Sequence, residues 1–213
     1  MTIGTLARHV TRTMPAGIFF VVLLAGTATS VPGQEASTPS CWIRPDQADL
    51  EIRASPFDST SIRLDGGEIK VCYSRPRMLG RPIMGRLVRY GEPWRFGADE
   101  ATAVHVPFPA TIAGVSVEPG WHTLYVIPQE SEWQIVVNGQ ARRWGVPITD
   151  EVRSADIGAG RVAATDEVGS VELFTLELVP TGSSAADLVM AWDRTRLRIP
   201  VRLVNDADRE LRK

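Results

Sequence analysis

Alternation constrains this fold most: apolar residues recur at every second position in short runs, and the runs are broken by Gly, Pro and Asp. In the clearest run Leu197, Ile199, Val201 and Leu203 are set against Arg196, Arg198 and Arg202. Such a run predicts a strand with one buried and one wet face. Pro200 within it predicts an edge or bulged position, because proline brings no amide hydrogen to a ladder. Glu68–Ser74 alternates in the same way, as do Trp133, Ile135 and Val137 against Gln134, Val136 and Asn138. Trp121–Pro128 is apolar on both faces, as a central strand is, and Val171–Val179 and Leu188–Trp192 add two more runs. Helical periodicity is nearly absent, with room for a short helix only at 149–155 and 206–213. Strands at roughly ten-residue intervals predict an all-β antiparallel sandwich, with a jelly roll as one arrangement, interrupted by a long Arg/Gly/Pro-rich connection. Tight turns are predicted at Asp65-Gly66-Gly67, Glu118-Pro119-Gly120 and Gln129-Glu130-Ser131.

Residues 1–30 read as a signal peptide: Arg8 and Arg12 precede the apolar run Ile18–Ala25, and small residues follow from Gly26 to Ser30. That run is shorter than the roughly 20 residues a membrane span needs. The expected location is therefore exported, periplasmic or extracellular, with no membrane span after the signal is removed. Residues 31–45 read as a flexible tether, 46–204 as one domain, and 205–213 as a short tail or helix. A formal net charge of -2 argues against a nucleic-acid partner. Cys41 and Cys72, two cysteines in an exported chain, predict a disulfide. The alternative is Cys72 as a small core residue with Cys41 free. Lipidation of Cys41 is disfavoured by the lead-in Thr38-Pro39-Ser40.

The candidate chemistry is concentrated in Tyr73–Thr102. Arg75, Arg77, Arg81, Arg86, Arg89 and Arg95 are opposed there by Glu92 and followed by Asp99 and Glu100. One reading makes some of these arginines a fork for a carboxylate, phosphate or sulfate. The other pairs Arg75, Arg81 and Arg95 with Asp99, Glu100 and loop carbonyls, locking the connection onto the sandwich. Trp94 and Trp144, beside glycines in loops, are expected nearer the surface than Trp133 and Trp192, and exposed indoles can stack sugar rings. His105, His122 and Glu118 lack metal-site spacing, and nucleophile-elbow, phosphate-loop and dinucleotide motifs are missing. No metal or cofactor is expected.

Tyr-x-Arg-Pro from Tyr73, Gly-Arg at Gly80-Arg81, and Tyr90-Gly91 through Trp94-Arg95, Gly97-Ala98, Glu100 and Thr102 together resemble the exported bacterial family of domain of unknown function 2911. Ser55-Pro56, Gly114, Pro119-Gly120, Tyr125, Ile127-Pro128, Glu132-Trp133, Asn138, Trp144-Gly145 and Trp192 continue the likeness over most of residues 54–201. Met84, Arg89, Phe96 and Asp99 depart from it, standing where Phe, Pro, Thr and mostly Asn are usual. The resemblance implies no particular reaction. Two functional readings follow from the residues. The first is a non-catalytic module that binds a small molecule, a glycan or an envelope component, with Arg75, Arg81, Arg95, Asp99 and Glu100 as polar anchors and Trp94 or Trp144 as an apolar wall. The second is a hydrolase using Glu100 or Asp99 as general base and Arg95 or Arg81 to hold developing negative charge. A purely structural role for the segment is the third.

Overall fold

The computed structural model describes residues 1–2 and 39–204. The predicted signal peptide, the first part of the tether and the 205–213 tail lie outside the described residues.

Among the described residues the chain forms nine antiparallel strands. β1 (Phe57–Leu64) and β2 (Gly67–Ser74) form a hairpin in which Leu64 opposes Gly67 and Phe57 opposes Ser74. Its two-residue turn, Asp65-Gly66, has φ of 47° and 80°, the paired positive values of a type I′ turn whose twist matches the strands. β3 (Ala98–Val106) pairs with β2 and with β6 (Gly120–Ile127), and β6 pairs with β7 (Glu132–Asn138) across the expected turn at 128–131. A second two-residue turn, Ala113-Gly114 at φ 50° and 82°, joins β4 (Ala110–Ile112) to β5 (Val115–Val117). Thr149 caps a single helical turn, α1 (Asp150–Arg153), its hydroxyl accepting from the Val152 amide.

The C-terminal runs merge into two long strands, β8 (Asp156–Pro180) and β9 (Ala185–Leu203). β8 belongs to both layers. Its first third pairs with β7, and the rest, from Ala164 on and with register shifts between Asp166 and Thr175, pairs with β9. The strand order is β1-β2-β3-β6-β7-β8-β9-β4-β5. Neighbours in sequence are thus mostly neighbours in the sheet, with one excursion, whereas a jelly roll crosses between layers at almost every connection. The β8–β9 pairing ends at Leu197, so Pro200 sits where β4 is the neighbour along β9, and its carbonyl accepts from Ala113 at 2.9 Å. Glu118-Pro119-Gly120 is not a hairpin. It carries the chain from β5, beside β4, back to β6, beside β3 and β7, because turn residues bend a chain without choosing its next partner. Gly160 lets the β4–β5 turn approach, since a Cβ there would lie 1.8 Å from the Ala113 carbonyl oxygen.

One hydrophobic core joins the layers, with Ile69, Val71 and Tyr73 of β2 and Leu124 and Val126 of β6 in the same cluster as Phe174, Leu176, Met190 and Trp192 of β8 and β9. Trp133 and Trp192 are buried, as their phase predicted. Trp94 and Trp144 are less buried than these two, as expected, and Trp94 is a half-buried wedge. Its backbone bonds Val126 in both directions at 2.8 and 2.9 Å, and its ring stacks on Trp192 at 5.6 Å and meets Phe174 edge-on at 5.5 Å. The long connection is therefore nailed to the sandwich at its end, by ring pairs each worth about 0.5–1.5 kcal/mol beyond burial.

Candidate functional site

The arginines of the 75–95 connection do not converge on one point. Arg75 spans the layers: Nε donates to the Phe174 carbonyl at 3.0 Å, Nη1 to Asp58 at 3.0 Å and Nη2 to Thr175 Oγ1 at 2.8 Å. Arg81 is exposed and folds back on its own turn, donating to the carbonyls of Met78 at 2.9 Å and Arg77 at 2.7 Å. Arg75 ties a β8 carbonyl and Asp58, and Arg81 satisfies carbonyls of its own turn, so both fit the reading that locks the connection onto the sandwich, with Asp58 in place of Asp99 and Glu100, and not the anion fork. Arg95 is different. It is half-buried, and its recorded bond is Nε to the Gly97 carbonyl at 3.2 Å. Its terminal nitrogens have no hydrogen-bond partner among the described residues.

Glu100 takes a partner from far upstream. The Arg53 guanidinium grips it at 2.6 and 2.9 Å, the Arg44 amide donates to it at 3.0 Å, and Arg53 also reaches the Gln47 carbonyl. Both side chains are nearly out of solvent, at 6% and 5% exposure. Burial pushes the Glu100 carboxyl pKa up, but the Arg53 fork and the Arg44 amide outweigh it, leaving it below the ordinary range. The hydrogen bonds to Glu100 hold the Arg53 guanidinium charged more firmly than usual. Cys41 and Cys72 are bonded, with Cα atoms 5.9 Å apart. The stretch 41–45, expected as tether, is thus fastened to β2 by the disulfide and to β3 through Arg44. Trp144 belongs to the same lock: Arg44 sits over its ring at 5.2 Å, so it forms no wall with Arg95.

Asp99 lies between the two arrangements at φ 55°. That conformation suits Asn and Asp, whose short polar side chains tolerate the left-handed region, which explains why the departure from Asn leaves the backbone intact. Burial raises its carboxyl pKa, opposed by Arg53 and Arg95 and reinforced by Glu100. The Asp99 carbonyl accepts from Gly145 at 2.7 Å. Gly145 is required there, because a Cβ would meet Arg95 Cδ at 2.7 Å and the Asp99 oxygen at 2.8 Å. This contact brings the 144–147 loop against Arg95 and closes a cleft of about 270 Å³ lined by Pro76, Leu87, Pro93, Trp94, Arg95, Val146 and Trp192. Burial lowers the Arg95 pKa, Asp99 partly restoring it.

Of the residues singled out from sequence, the structure brings together Trp94, Arg95 and Asp99, and separates off Arg75, Arg81, Glu100 and Trp144. Sequence reasoning missed Arg53, Arg44 and Arg143. Arg143 is half-buried beside the Tyr125–Asp156–Asn138 hydrogen bonds of 2.6 and 2.8 Å, and its buried Nε and Nη2 lack a partner among the described residues. His105 and His122 each face a backbone carbonyl, Glu68 at 3.2 Å and Glu118 at 2.8 Å. No group of three or more His, Cys, Asp or Glu among the described residues is placed to hold a metal ion.

No curated protein and no solved structure matches this chain. The match to a family model covers residues 55–201, from just before β1 to the last turn of β9, and so takes in the cleft, the Asp99 kink and Glu100. On that match the chain belongs to the family described as protein of unknown function DUF2911.

Proposed function

We propose that this domain is a non-catalytic binding module of an exported protein. Its ligand is a small amphiphile whose anionic head meets Arg95 and whose apolar body lies along Trp94, Leu87 and Val146. One observation carries the reading: Arg95 lines an apolar cleft with its terminal nitrogens unmatched. A guanidinium presents a planar fork to a carboxylate or phosphate, and the attraction is stronger beside low-dielectric walls than in water. A volume of about 270 Å³ is at the small end for ligand sites, which favours a short-chain acid over a glycan. The Trp94 face is also taken by Trp192, so it offers no free platform for a sugar.

Titration with hexanoate and hexanol, read by tryptophan fluorescence, tests the proposal. Saturable quenching is expected with hexanoate, weaker with hexanol, and reduced by salt. Arg95→Gln is expected to cost hexanoate about tenfold or more and to leave hexanol unchanged. Absence of saturable binding by carboxylates, phosphate esters and sulfates of this size, or equal binding by Arg95→Gln, overturns it.

A hydrolytic reading is favoured by one observation, the burial that raises the Asp99 carboxyl pKa beside Arg95. Glu100 drops out of that reading, because a carboxylate gripped by arginine and shifted downward is a weak base. Turnover of chromogenic esters or glycosides that disappears in Asp99→Asn while hexanoate binding persists would establish it. Turnover unchanged in that variant removes Asp99 from the chemistry.

A further inference from the structure

The 75–95 connection concentrates charge of one sign. It holds six arginines and one glutamate, a net +5 inside a chain whose total is -2. Arg77, Arg81, Arg86 and Arg89 are exposed, and the glutamate, Glu92, lies 3.5 Å from Arg89. Interleaved with these cations are large apolar residues in water: Leu79 at 71% exposure, Leu87 at 46% and Tyr90 at 38%.

Leu79 is the telling residue. It occupies φ 51°, beside Gly80 at 70°, in a turn position where Asn or Gly is usual and a leucine rare. The turn is tightly built: the Arg81 amide donates to Met78 at 3.1 Å, its side chain bonds Met78 and Arg77, and the Leu79 amide donates to Glu172 at 2.8 Å. A rigid turn therefore holds an unpacked leucine out in solvent. Leu87, the second exposed leucine of the connection, also lines the Arg95 cleft, as does Pro76, three residues before Leu79.

From this arrangement we infer that the 75–95 connection is a docking surface for an anionic lipid bilayer, with Leu79 and Leu87 entering the interface and Arg77, Arg86 and Arg89 meeting headgroup phosphates. A bilayer suits the observations better than an acidic protein. Isolated apolar tips at different points of a loop need no complementary pockets in a lipid surface, and guanidinium and tyrosine side chains both favour its headgroup zone. No helix among the described residues is long and apolar enough to cross a membrane. The inference does not depend on the ligand proposed for the cleft.

The test is co-sedimentation of residues 36–213 with vesicles. This piece contains every strand of the described residues, the core cluster and the disulfide, so it is expected to fold by itself. Pelleting is expected with phosphatidylglycerol vesicles, not with phosphatidylcholine, and is expected to decline as NaCl rises. Each arginine lost near the surface is expected to cost about fivefold in partitioning, so Arg86→Glu with Arg89→Glu costs 25-fold or more. Leu79→Gly relieves the turn, keeps or raises the melting temperature, and is expected to lower partitioning roughly tenfold. Arg95→Gln is expected to pellet like the parent, which separates this surface from the cleft. Equal pelleting on both lipids, none on either at low salt, or parent-like pelleting of Leu79→Gly and of Arg86→Glu with Arg89→Glu would overturn the inference. Binding to soluble polyglutamate without binding to vesicles would also overturn it and assign the surface to an acidic protein.

Discussion

Two irregular segments leave this sandwich, and they use arginine in opposite ways. The arm at 41–53 ends in Arg53, buried and matched to both oxygens of Glu100. The 75–95 connection spends Arg75 and Arg81 largely on backbone carbonyls, pairs Arg75 and Arg89 with the partly or fully exposed carboxylates of Asp58 and Glu92, and presents the rest to solvent or to a cleft. The residue type is the same; what differs is whether a buried carboxylate takes both ends of the guanidinium. Where one is, the guanidinium is a fastener. Where none is, as at Arg95, a charge is left for something outside the chain.

The sharpest way to break that comparison is Glu100→Gln, which strands the Arg53 charge in a buried site. Losing one partner of a buried pair costs about 3–5 kcal/mol, and the loss is expected in chemical denaturation of the intact fold. Replacing both partners, as Arg53→Met with Glu100→Leu, is expected to restore much of it. A Glu100→Gln cost below about 1 kcal/mol would mean the pair is no fastener. The pH dependence has a fixed sign. The folded-state pKa of Glu100 is depressed, so its contribution is present above the unfolded carboxylate range and disappears as pH falls through the folded value.

Next in size is the disulfide, the other fastener of the arm. Cys41 and Cys72 are 31 residues apart, and a loop of that length is worth about 3–4 kcal/mol in the chain-entropy model. Cys41→Ser with Cys72→Ser is expected to show that loss. Combined with Glu100→Gln it is expected to cost less than the two effects added, because both ties hold one arm. Strict additivity would show that the arm is held independently at its two points.

Much of the fold was legible because periodicity is a local signal. β2, β7 and β9 follow from alternation, β6 from an apolar run on both faces, and the β1–β2 turn from Asp65-Gly66. What was hidden depends on distance along the chain. The first third of β8 is rich in Gly and Ala and mostly exposed, with Val162 as its buried residue, so it carries no alternation to read. The excursion through β4 and β5 rests on three-residue strands whose register comes from β9, about ninety residues later. The Arg53–Glu100 pair joins positions 47 apart, and nothing around Arg53 marks it among the chain's other arginines. Trp94-Arg95 was legible as a candidate, but the wall that makes a cleft of it, Val146, arrives through the Gly145 contact.

A smaller effect sharpens the contrast within the connection itself. Arg75→Gln removes bonds to Phe174, Asp58 and Thr175 that tie one layer to the other, and is expected to cost about 1–3 kcal/mol of stability. Arg95→Gln removes one carbonyl bond and a charge whose pKa burial already depresses, so its stability cost is expected to fall below that of Arg75→Gln while anion binding is lost. The opposite ranking would make Arg95 scaffold and Arg75 the site.

The smallest effect is expected at Asp99, and its sign is the informative part. Burial raises its folded pKa, so the folded state holds the proton more tightly than the unfolded chain does. Stability from this group is fully present below the unfolded carboxylate pKa and is lost as pH rises through the folded value, the reverse of Glu100 one residue later. Asp99→Asn keeps the shape, tolerates φ 55° and removes the charge. It is expected to raise the melting temperature at pH 7, by less than about 1 kcal/mol in stability because the side chain is partly solvated, and to give no gain near pH 3. A loss at pH 7 would mean that the carboxylate holds Arg95 in place for its ligand. The cleft would then be a built ion-pair site, and Asp99 part of its recognition.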